Sequence, residues 1–306
     1  MEKIHDLIII GAGPAGLAAS IYASRYGIEH KVVGSILGGQ ITETHDIDNY
    51  PGMENMTGFD FSQKWGAHAK KYGVEIVSTT IDSIMKKKEV FILALANQET
   101  LHARTILLAT GTKRRKLAIA GEKHLLGMGV SYCATCDGFF YKNKIVGVIG
   151  GGDSAASAAL YLSNLCEKVY LIYRGAELKA EPYWTKKISH SENVEIIFNT
   201  NVVEILGRDK LERVELDKEY KNNCQLEMDG LFIEAGSVPN IEYARGIKLE
   251  TDKKGYIKIN PDCTTSLTGA WAAGDVTDGS DGFQQVITAA AEGAIAVRSI
   301  FRWLKE

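Results

Sequence analysis

The 306 residues include 35 Lys and Arg against 38 Asp and Glu, which gives a formal net charge of only -3 at pH 7. Such a balanced chain has no overall field favouring nucleic acid or an anionic membrane, so we expect small-molecule or protein partners. The length allows two domains of ordinary size. The N-terminus leads directly into a short apolar segment, and no apolar run reaches membrane-spanning length, so we expect a cytoplasmic protein.

The first chemical signal is a glycine-rich turn near the N-terminus. Residues 7–10 are the continuous apolar run Leu-Ile-Ile-Ile, typical of a strand buried on both faces of a parallel sheet. Next come the residues Gly-Ala-Gly-Pro-Ala-Gly at 11–16, and a helix is predicted from about Pro14 to Tyr26. Gly11 permits the tight turn, Gly13 lets the backbone approach a pyrophosphate, and Gly16 packs the helix on the strand. We therefore predict a dinucleotide site.

The ribose contact of this first site is not obvious from the sequence. The acidic residue expected at the end of the second strand is absent from residues 30–35. Residues 38–52 are polar and turn-rich, and their composition alone favours a surface loop. Residues 105–112 read as another buried strand, whose small terminal residues Ala109, Thr110 and Gly111 would let a flat cofactor or an adenosine lie against the backbone.

Two cysteines separated by two residues form a possible redox centre. Cys133 and Cys136 are followed directly by Asp137, which could shuttle a proton. At a helix N-terminus the dipole lowers a thiol pKa, and in a reducing compartment such a pair is more plausibly catalytic than structural. The alternatives are half a zinc site, which needs two further ligands, or two unrelated core thiols. We expect no metal, and we interpret the other cysteines as packing residues: Cys166, Cys224 and Cys263.

A second strand, glycine turn and helix pattern follows the cysteines. The apolar residues 145–149 lead into Gly150, Gly151 and Gly152, then Asp153, Ser154 and Ala155. Alanine is an allowed variant of the last glycine, so a second dinucleotide is predicted. The next strand, residues 169–173, ends before Arg174, a residue type suited to a 2′-phosphate, although a solvated arginine is the simpler alternative.

The C-terminal region adds one more strand end and a helix start. Residues 269–273 lead into Gly274 and Asp275, whose carboxylate could accept hydrogen bonds from sugar hydroxyls or cap the following helix. That helix is predicted from about Phe283 toward Trp303. Its first backbone N–H groups would face an electron-rich ring.

Taken together, these motifs resemble the low-molecular-weight thioredoxin reductases over nearly the whole chain. The resemblance implies an α/β homodimeric flavoprotein with two Rossmann-like three-layer domains, the second inserted into the first. Residues 1–114 and 243–306 would form the FAD domain, and residues 115–242 the pyridine-nucleotide domain carrying the Cys-x-x-Cys pair. Hinges are expected near 113–116 and 237–241.

The resemblance also implies site residues. Cys136 would be the sulfur next to the flavin, Cys133 the thiol that attacks the substrate, and Asp137 their acid-base partner. Contacts to the nicotinamide nucleotide would be Gly150, Gly152, Asp153, Ser154, Ala155, Arg174 and Lys179. Contacts to FAD would be Gly11, Gly13, Pro14, Ala15, Gly16, Gly39, Gln40, Asn49, Ala109, Thr110, Gly111, Gly274, Asp275, Gln284, Gln285 and Val286.

The implied reaction carries electrons from NADPH to FAD, then to the Cys133–Cys136 disulfide, and then to thioredoxin or a related redoxin. The thiol pair and the nicotinamide site lie in one domain and FAD lies in the other. If both must use the same flavin face they cannot do so together, so the inserted domain is expected to adopt two orientations. A cross-link that fixes one orientation would then stop turnover.

The sequence departs from the family on the electron-donor side. The family's His-Arg-Arg run and a later Arg correspond here to Tyr173, Arg174, Gly175 and Lys179. A lysine lacks the bidentate fork of arginine, so we expect weakened discrimination for NADPH. The helix after the second turn lacks the family's acidic pair at Ser157 and Ala158, and Gln284 stands where relatives often carry a basic residue.

These departures leave several functions open. The electron donor could be NADPH bound less tightly, NADH, or another donor such as ferredoxin or a deazaflavin. The intact glycine turn favours a nicotinamide. Ferredoxin and flavodoxin reductases lack the thiol pair, and a peroxiredoxin-reducing flavoprotein usually carries an additional N-terminal module. A non-enzymatic redox sensor or a structural zinc protein would show no thiol-dependent turnover.

Overall fold

The computed structural model describes residues 3–306. They form two compact units, one comprising the chain up to Lys113 together with Val238–Glu306, the other comprising Arg114–Ser237. Each unit is an α/β structure built on its own sheet. The predicted fold class, with one Rossmann-like unit inserted into another, is confirmed.

The strands and helices alternate in the order expected for nucleotide-binding units. The segment up to Arg114 contains β1 (Ile4–Ile10), α1 (Pro14–Arg25), β2 (His30–Val33), α2 (Gly58–Lys70), β3 (Ile76–Val77), β4 (Ile81–Lys87), β5 (Val90–Leu95), β6 (Thr100–Leu108) and β7 (Thr112–Arg114). The inserted unit contains β8 (Val130–Ser131), α3 (Ala134–Asp137), β9 (Ile145–Ile149), α4 (Asp153–Ser163), β10 (Lys168–Ile172), α5 (Pro182–Ser189), β11 (Val194–Ile197), β12 (Val202–Leu206), β13 (Arg213–Tyr220), β14 (Asn223–Glu227) and β15 (Gly230–Ile233). The returning segment contains β16 (Ser237–Pro239), β17 (Ala270–Ala272) and α6 (Val286–Trp303).

The first unit is a three-layer structure around a seven-stranded sheet. Strands β3, β2, β1 and β6 lie side by side and parallel, β17 pairs in parallel with the end of β6, and β5 and β4 continue antiparallel. Leu7 and Ile9 pack toward α1 and α6, whereas Ile8 and Ile10 pack toward β4 and β5, all fully or almost fully buried. Burial on both faces explains the continuous apolar run of β1.

The inserted unit repeats this plan on a smaller scale. Its five strands follow the order β11, β10, β9, β15 and β8, and every pair is parallel. Small buried residues of α4, such as Ala155 and Ala159, let that helix pack closely on Val146 and Val148 of β9. The antiparallel strands β12, β13 and β14 cover the other face. The glycine turns after β1 and β9 therefore occupy equivalent positions in the two units.

No helix among residues 3–306 has both the length and the apolar character needed to cross a membrane.

Candidate active site and cofactor-binding residues

The first glycine turn leaves an open space in front of α1. Gly11 has φ +115°, and a Cβ there would lie 2.1 Å from the Ala109 carbonyl oxygen, so only glycine fits. A Cβ on Gly13 would meet nothing nearer than the Gly38 oxygen at 3.8 Å. Pro14 and Ala15 begin α1, whose first backbone N–H groups lack helical partners. This geometry fits a pyrophosphate group.

The stretch after β2 folds back over this turn. Residues 39–43 form a 3-10 helix, and a Cβ on Gly39 would lie 3.3 Å from the Gly13 Cα atom. Ile41 and Ile47 are buried against Phe61, so the polar stretch is anchored by apolar side chains. Gly39 therefore lies beside the open space at Gly13.

Two amides of this stretch link it to distant parts of the same unit. The Thr112 hydroxyl donates to Gln40 Oε1 at 3.0 Å, and Asn49 Nδ2 donates to Gln285 Oε1 at 3.0 Å. Gln40 is half-buried, while Asn49 is exposed. The structure thus brings Asn49 and the start of α6 together, although 236 positions separate Asn49 from Gln285 in sequence.

The small residues after β6 are held by the returning segment of the same unit. The Thr110 hydroxyl donates to the Asn240 carbonyl at 2.8 Å, and Asn240 N–H donates to the Gly111 carbonyl at 3.0 Å. The Tyr243 hydroxyl donates to Thr110 Oγ1 at 2.5 Å, and burial raises the pKa of this phenol. These contacts fix the backbone of residues 109–111 at the carboxyl edge of the sheet.

Asp275 follows β17 in a turn that is hydrogen-bonded to a buried glutamate of α6. Glu292, only 7% exposed, accepts hydrogen bonds from Gly274 N–H at 2.7 Å and from the Ser280 hydroxyl at 2.6 Å. Burial, and secondarily the nearby charge of Glu292, raise the pKa of the Asp275 carboxyl to about 6. The Asp275 carboxyl is therefore a desolvated group that would gain from hydroxyl donors.

The start of α6 lies against this turn. Gln284 Nε2 donates to the Asp275 carbonyl at 3.2 Å, and Gln285 N–H donates to the Thr288 hydroxyl at 3.2 Å. Val286 is the first helical residue. The helix thus begins three residues later than the predicted Phe283, because Gln285 has an extended backbone before the first helical turn.

These features together fit FAD in the first unit. The open glycine at position 13 and the start of α1 suit its pyrophosphate, and the Asp275 carboxyl suits polyhydroxyl donors. All of the residues expected to contact FAD lie in this unit, in the segments that follow β1, β2, β6 and β17 or at the start of α1 or α6.

The two predicted redox cysteines form a disulfide in the inserted unit. Cys133 is the N-cap of α3, and its sulfur accepts from Cys136 N–H at 3.1 Å. Cys136 is exposed and Cys133 is half-buried. Placing both sulfurs at a helix N-terminus stabilises a thiolate after reduction.

Asp137 is joined to the cysteines by a serine. The Ser131 hydroxyl donates to Asp137 Oδ2 at 2.6 Å and accepts from Cys133 N–H at 3.0 Å. Ser131 lies at the end of β8 and is 5% exposed. A buried hydroxyl thus fixes the carboxylate relative to the thiol pair.

The second glycine turn lies at the start of α4, as predicted. A Cβ on Gly152 would meet no atom within 4 Å, so a pyrophosphate can approach there. Asp153 accepts from Glu181 N–H at 2.7 Å, Ser154 is exposed, and Ala155 is buried. Arg174 and Lys179 are both exposed, and the Lys179 N–H donates to the Gly151 carbonyl at 2.7 Å.

Two of the other three cysteines have raised thiol pKa values, and the third lies on a different strand. Burial raises the pKa of Cys166 to about 11, and burial with nearby carboxylates raises that of Cys263 to about 12. Cys224 is half-buried on β14. A thiol with so high a pKa is a poor nucleophile at neutral pH.

The basic run at residues 113–116 makes hydrogen bonds and ion pairs. Lys113 pairs with Glu242 at 2.6 Å in the first unit, and Arg114 pairs with Glu234 at 2.7 Å in the inserted unit. Arg115 donates to the Ser237 carbonyl at 3.1 Å. These contacts stabilise the chain where it passes between units.

The chain belongs to the pyridine nucleotide-disulphide oxidoreductase family, whose model matches residues 5–293. It is 38% identical to a thioredoxin reductase of Listeria innocua over 308 aligned positions, covering all of this chain and 95% of that protein. A solved T. acidophilum thioredoxin reductase superposes with a TM-score of 0.93 at 32% identity, covering both chains completely.

A third similar protein carries a different description. The ferredoxin-flavin thioredoxin reductase of Clostridium acetobutylicum is 32% identical, covers 100% of this chain and 99% of its own, and has a TM-score of 0.55. The resemblance inferred from the motifs is therefore confirmed at the level of low-molecular-weight thioredoxin reductases.

Three residues at these sites were not identified from the sequence as site residues. Ser131 and Glu292 act through hydrogen bonds to Asp137 and Gly274, and a lone serine or a helical glutamate gives no local signal. Thr112, which binds the Gln40 side chain, lies 72 positions away from it. A polar residue at a strand end or on an otherwise Ala-rich helix is the only hint available.

Proposed function

We propose that this protein is a thioredoxin-disulfide reductase that passes electrons from a nicotinamide nucleotide through FAD to the Cys133–Cys136 disulfide, and from there to thioredoxin or a related redoxin. The observation that carries the proposal is the disulfide at the N-terminus of α3, beside a hydrogen-bonded carboxylate. The open glycine at position 13 and the desolvated Asp275 carboxyl, which fit FAD in the first unit, support it. We further propose that the protein works as a cytoplasmic homodimer.

FAD would be held by Gly13, Asp275 and the start of α6, where it supplies a two-electron carrier between a nicotinamide and a disulfide. The chain's own residues would orient the cofactor and exclude water from it. Gly13 gives the phosphates access to the α1 N-terminus, and Glu292 fixes the backbone before Asp275. Domain boundaries near residues 114 and 242 remain our proposal for the division between the two nucleotide-binding regions.

The reduced cysteines would act by thiol-disulfide exchange. The Cys133 thiolate attacks one sulfur of the partner disulfide, which forms a mixed disulfide and releases the first partner thiolate. The Cys136 thiolate then attacks the Cys133 sulfur, re-forming the internal disulfide and releasing the second partner thiolate. Asp137, oriented by Ser131, exchanges the protons that these thiols gain and lose.

A second candidate uses the same relay with a donor other than a nicotinamide, such as reduced ferredoxin. It is favoured by Tyr173 and Gly175, which follow β10 at positions where the resemblance implies the family's His-Arg-Arg run. Steady-state rates with NADPH, NADH and reduced ferredoxin separate the two candidates. We expect NADPH or NADH to bleach the flavin absorbance, and no bleaching by either would reject the nicotinamide donor.

The thiol step is tested by serine substitutions in the purified, FAD-loaded protein. Cys133→Ser and Cys136→Ser should each abolish reduction of thioredoxin, because neither variant can complete the exchange. Cys224→Ser is the matched control, since that half-buried thiol lies on β14 and has no part in the proposed relay. Full activity in either active-site variant would reject the proposed function.

A further inference from the structure

The two glycine turns can be compared within one molecule. Ile10 pairs with Val33 in the first unit, and Ile149 pairs with Ile172 in the inserted unit. Gly11 N–H donates to the Val33 carbonyl at 2.7 Å, just as Gly150 N–H donates to the Ile172 carbonyl at 3.1 Å. The next residues, Gly34 and Tyr173, are therefore equivalent.

The two equivalent positions differ strongly in side-chain size. Gly34 has none, and a Cβ there would lie 2.8 Å from the Ala12 Cβ atom. In the inserted unit the residue corresponding to Ala12 is Gly151, and the aromatic ring belongs to Tyr173. A Cβ on Gly151 would lie 2.5 to 2.6 Å from three carbons of that ring. The ring therefore lies flat against the Gly151 Cα atom.

A second glycine makes room for the same ring. A Cβ on Gly175 would lie 2.5 Å from Tyr173 Cε1 and 3.1 Å from its hydroxyl oxygen. The ring is thus enclosed by Gly151 and Gly175, neither of which could carry a side chain without displacing it. The absence of a side chain at Gly175 is therefore required for this position of the Tyr173 ring.

This ring occupies a functionally important place. In dinucleotide-binding folds the residue at the end of the second strand lies beside the adenosine ribose, and the glycine turn contacts the adjoining pyrophosphate. Gly152 is open, so the turn itself can receive a pyrophosphate. The Tyr173 ring, by contrast, covers the part of the turn that the ribose would approach.

We propose that the Tyr173 ring is a plug over the second glycine turn, which must rotate away before a nicotinamide dinucleotide can bind. This inference rests on the proposed function, since it concerns the nucleotide site of that same reaction. It assigns Tyr173 as the residue that sets the affinity for the nicotinamide donor.

The surroundings of Tyr173 allow its side chain to move while the backbone stays fixed. Its N–H donates to the Ile197 carbonyl at 2.9 Å, and its carbonyl accepts from Thr200 N–H at 3.2 Å. The ring is half-buried, and no side chain or backbone group within residues 3–306 hydrogen-bonds its hydroxyl. No hydrogen bond of the Tyr173 hydroxyl within the described residues therefore fixes the ring against Gly151 and Gly175, and a side-chain rotation would uncover the turn.

A plug of this kind lowers affinity by making the binding-competent conformation a minority. If the uncovered form makes up about a tenth of the molecules, the apparent dissociation constant rises about tenfold. The ring covers the approach of the ribose common to both nucleotides. We therefore expect NADP⁺ and NAD⁺ to be affected by similar factors.

The test is calorimetric titration of the FAD-loaded protein with NADP⁺ and, separately, NAD⁺, which measures binding without turnover. Tyr173→Ser should lower both dissociation constants about tenfold, because the competing ring is gone. Tyr173→Phe is the matched control. It keeps the ring and removes only the unpartnered hydroxyl, so its affinities should equal those of the unmodified protein.

Each outcome decides the proposal. Unchanged or weaker binding by Tyr173→Ser, with normal FAD content and melting temperature, would overturn the plug, because the ring would then be neutral or a favourable nucleotide contact. Absence of binding heat with every variant would overturn it as well. Rejection of the Tyr173 proposal would not reject the proposed function, because reduction of thioredoxin is measured in a separate assay and with any electron donor. If Tyr173→Ser is unstable, Tyr173→Leu, which removes the flat ring but keeps an apolar side chain, should show the same tightening.

Discussion

Asp275, in the turn after β17, and Glu292, on α6, place two carboxyl groups near each other in the first unit. The Asp275 carboxyl has a pKa raised to about 6, chiefly by burial and further by the charge of Glu292. Below that pH the carboxyl is mostly protonated in the FAD-free protein. A sugar hydroxyl donates best to an ionised carboxylate, so FAD binding should lower this pKa and release a proton.

FAD affinity should therefore increase as pH rises toward about 6 and level off above about 7. The slope is at most about one power of ten per pH unit, because one proton is released. Asp275→Asn should remove the slope and weaken binding at pH 7, whereas Asp281→Asn, an exposed residue of the 3-10 helix Ser280–Gly282, should keep both the slope and the affinity. Fluorescence titration of the apoprotein with FAD measures this dependence, and a pH-independent affinity in the unmodified protein would contradict it.

Asp137 offers a second prediction at the scale of one residue. Asp137→Asn keeps an oxygen that can accept the Ser131 hydrogen bond, now 2.6 Å long, but removes proton transfer. Thioredoxin reduction should slow by roughly a hundredfold, which is typical for loss of a general acid-base group. Disulfide and FAD content should remain unchanged. An unaltered rate in rapid-mixing measurements would show that solvent exchanges the protons.

At the scale of elements, the most predictable parts are those that depend on neighbouring residues. The apolar run before Gly11 and the glycines themselves predicted β1, the turn and the start of α1 at Pro14, because strand, turn and helix are encoded contiguously. The same holds for β9 and α4. The positions of the Cys133–Cys136 pair and Asp137 at a helix start followed from the same local pattern.

Long-range contacts were beyond sequence reasoning for a physical reason. The Tyr173 ring covers Gly151 only because β10 pairs with β9 in one particular register, and the sequence does not state that register. Glu292 reaches Gly274 from the second turn of α6, and Thr112 reaches Gln40 from a strand 72 positions away. Each contact depends on tertiary packing.

The first glycine turn permits a sharp test of how it binds FAD. Gly13→Ala should fold normally, since its φ of -80° suits alanine and the nearest atom to the new Cβ is 3.8 Å away. The methyl group would stand where the pyrophosphate approaches, so FAD affinity should fall at least about tenfold. Flavin content and apoprotein melting temperature measure the two effects.

Two further substitutions serve as controls for Gly13→Ala. Gly152→Ala, at the equivalent position of the second turn, should leave FAD binding unchanged. Gly11→Ala should destabilise the fold itself, because its Cβ would lie 2.1 Å from the Ala109 oxygen. Normal FAD affinity in Gly13→Ala would contradict the assignment of this turn to the pyrophosphate.

The turn after α3 presents two large apolar side chains beside the disulfide. Phe139 and Phe140 are 68% and 71% exposed, which is unusual for adjacent aromatic residues on a protein surface. We predict that they contact thioredoxin, so replacing both by serine should raise the KM for thioredoxin about tenfold. The rate with a small disulfide should stay unchanged, and Phe59→Ser, which removes an aromatic residue of α2 that is 59% exposed, should affect neither. Equal loss with both substrates would contradict the prediction.

At the scale of the whole molecule, one chain would contain two two-electron carriers. The first unit, up to Lys113 together with Val238–Glu306, would hold FAD. The inserted unit, Arg114–Ser237, contains both the Cys133–Cys136 disulfide and the second glycine turn. Cys166 and Cys263 add no competing carrier, because their raised pKa values disfavour thiolates.

Anaerobic reductive titration of the purified flavoprotein tests this claim most directly, since it counts the electrons that one chain accepts. The unmodified protein should take up about four electrons, two for FAD and two for the disulfide, whereas Cys136→Ser should take up about two. Cys224→Ser should again take up about four. A colourless protein that cannot bind FAD, or an unmodified flavoprotein saturated by about two electrons, would contradict the account.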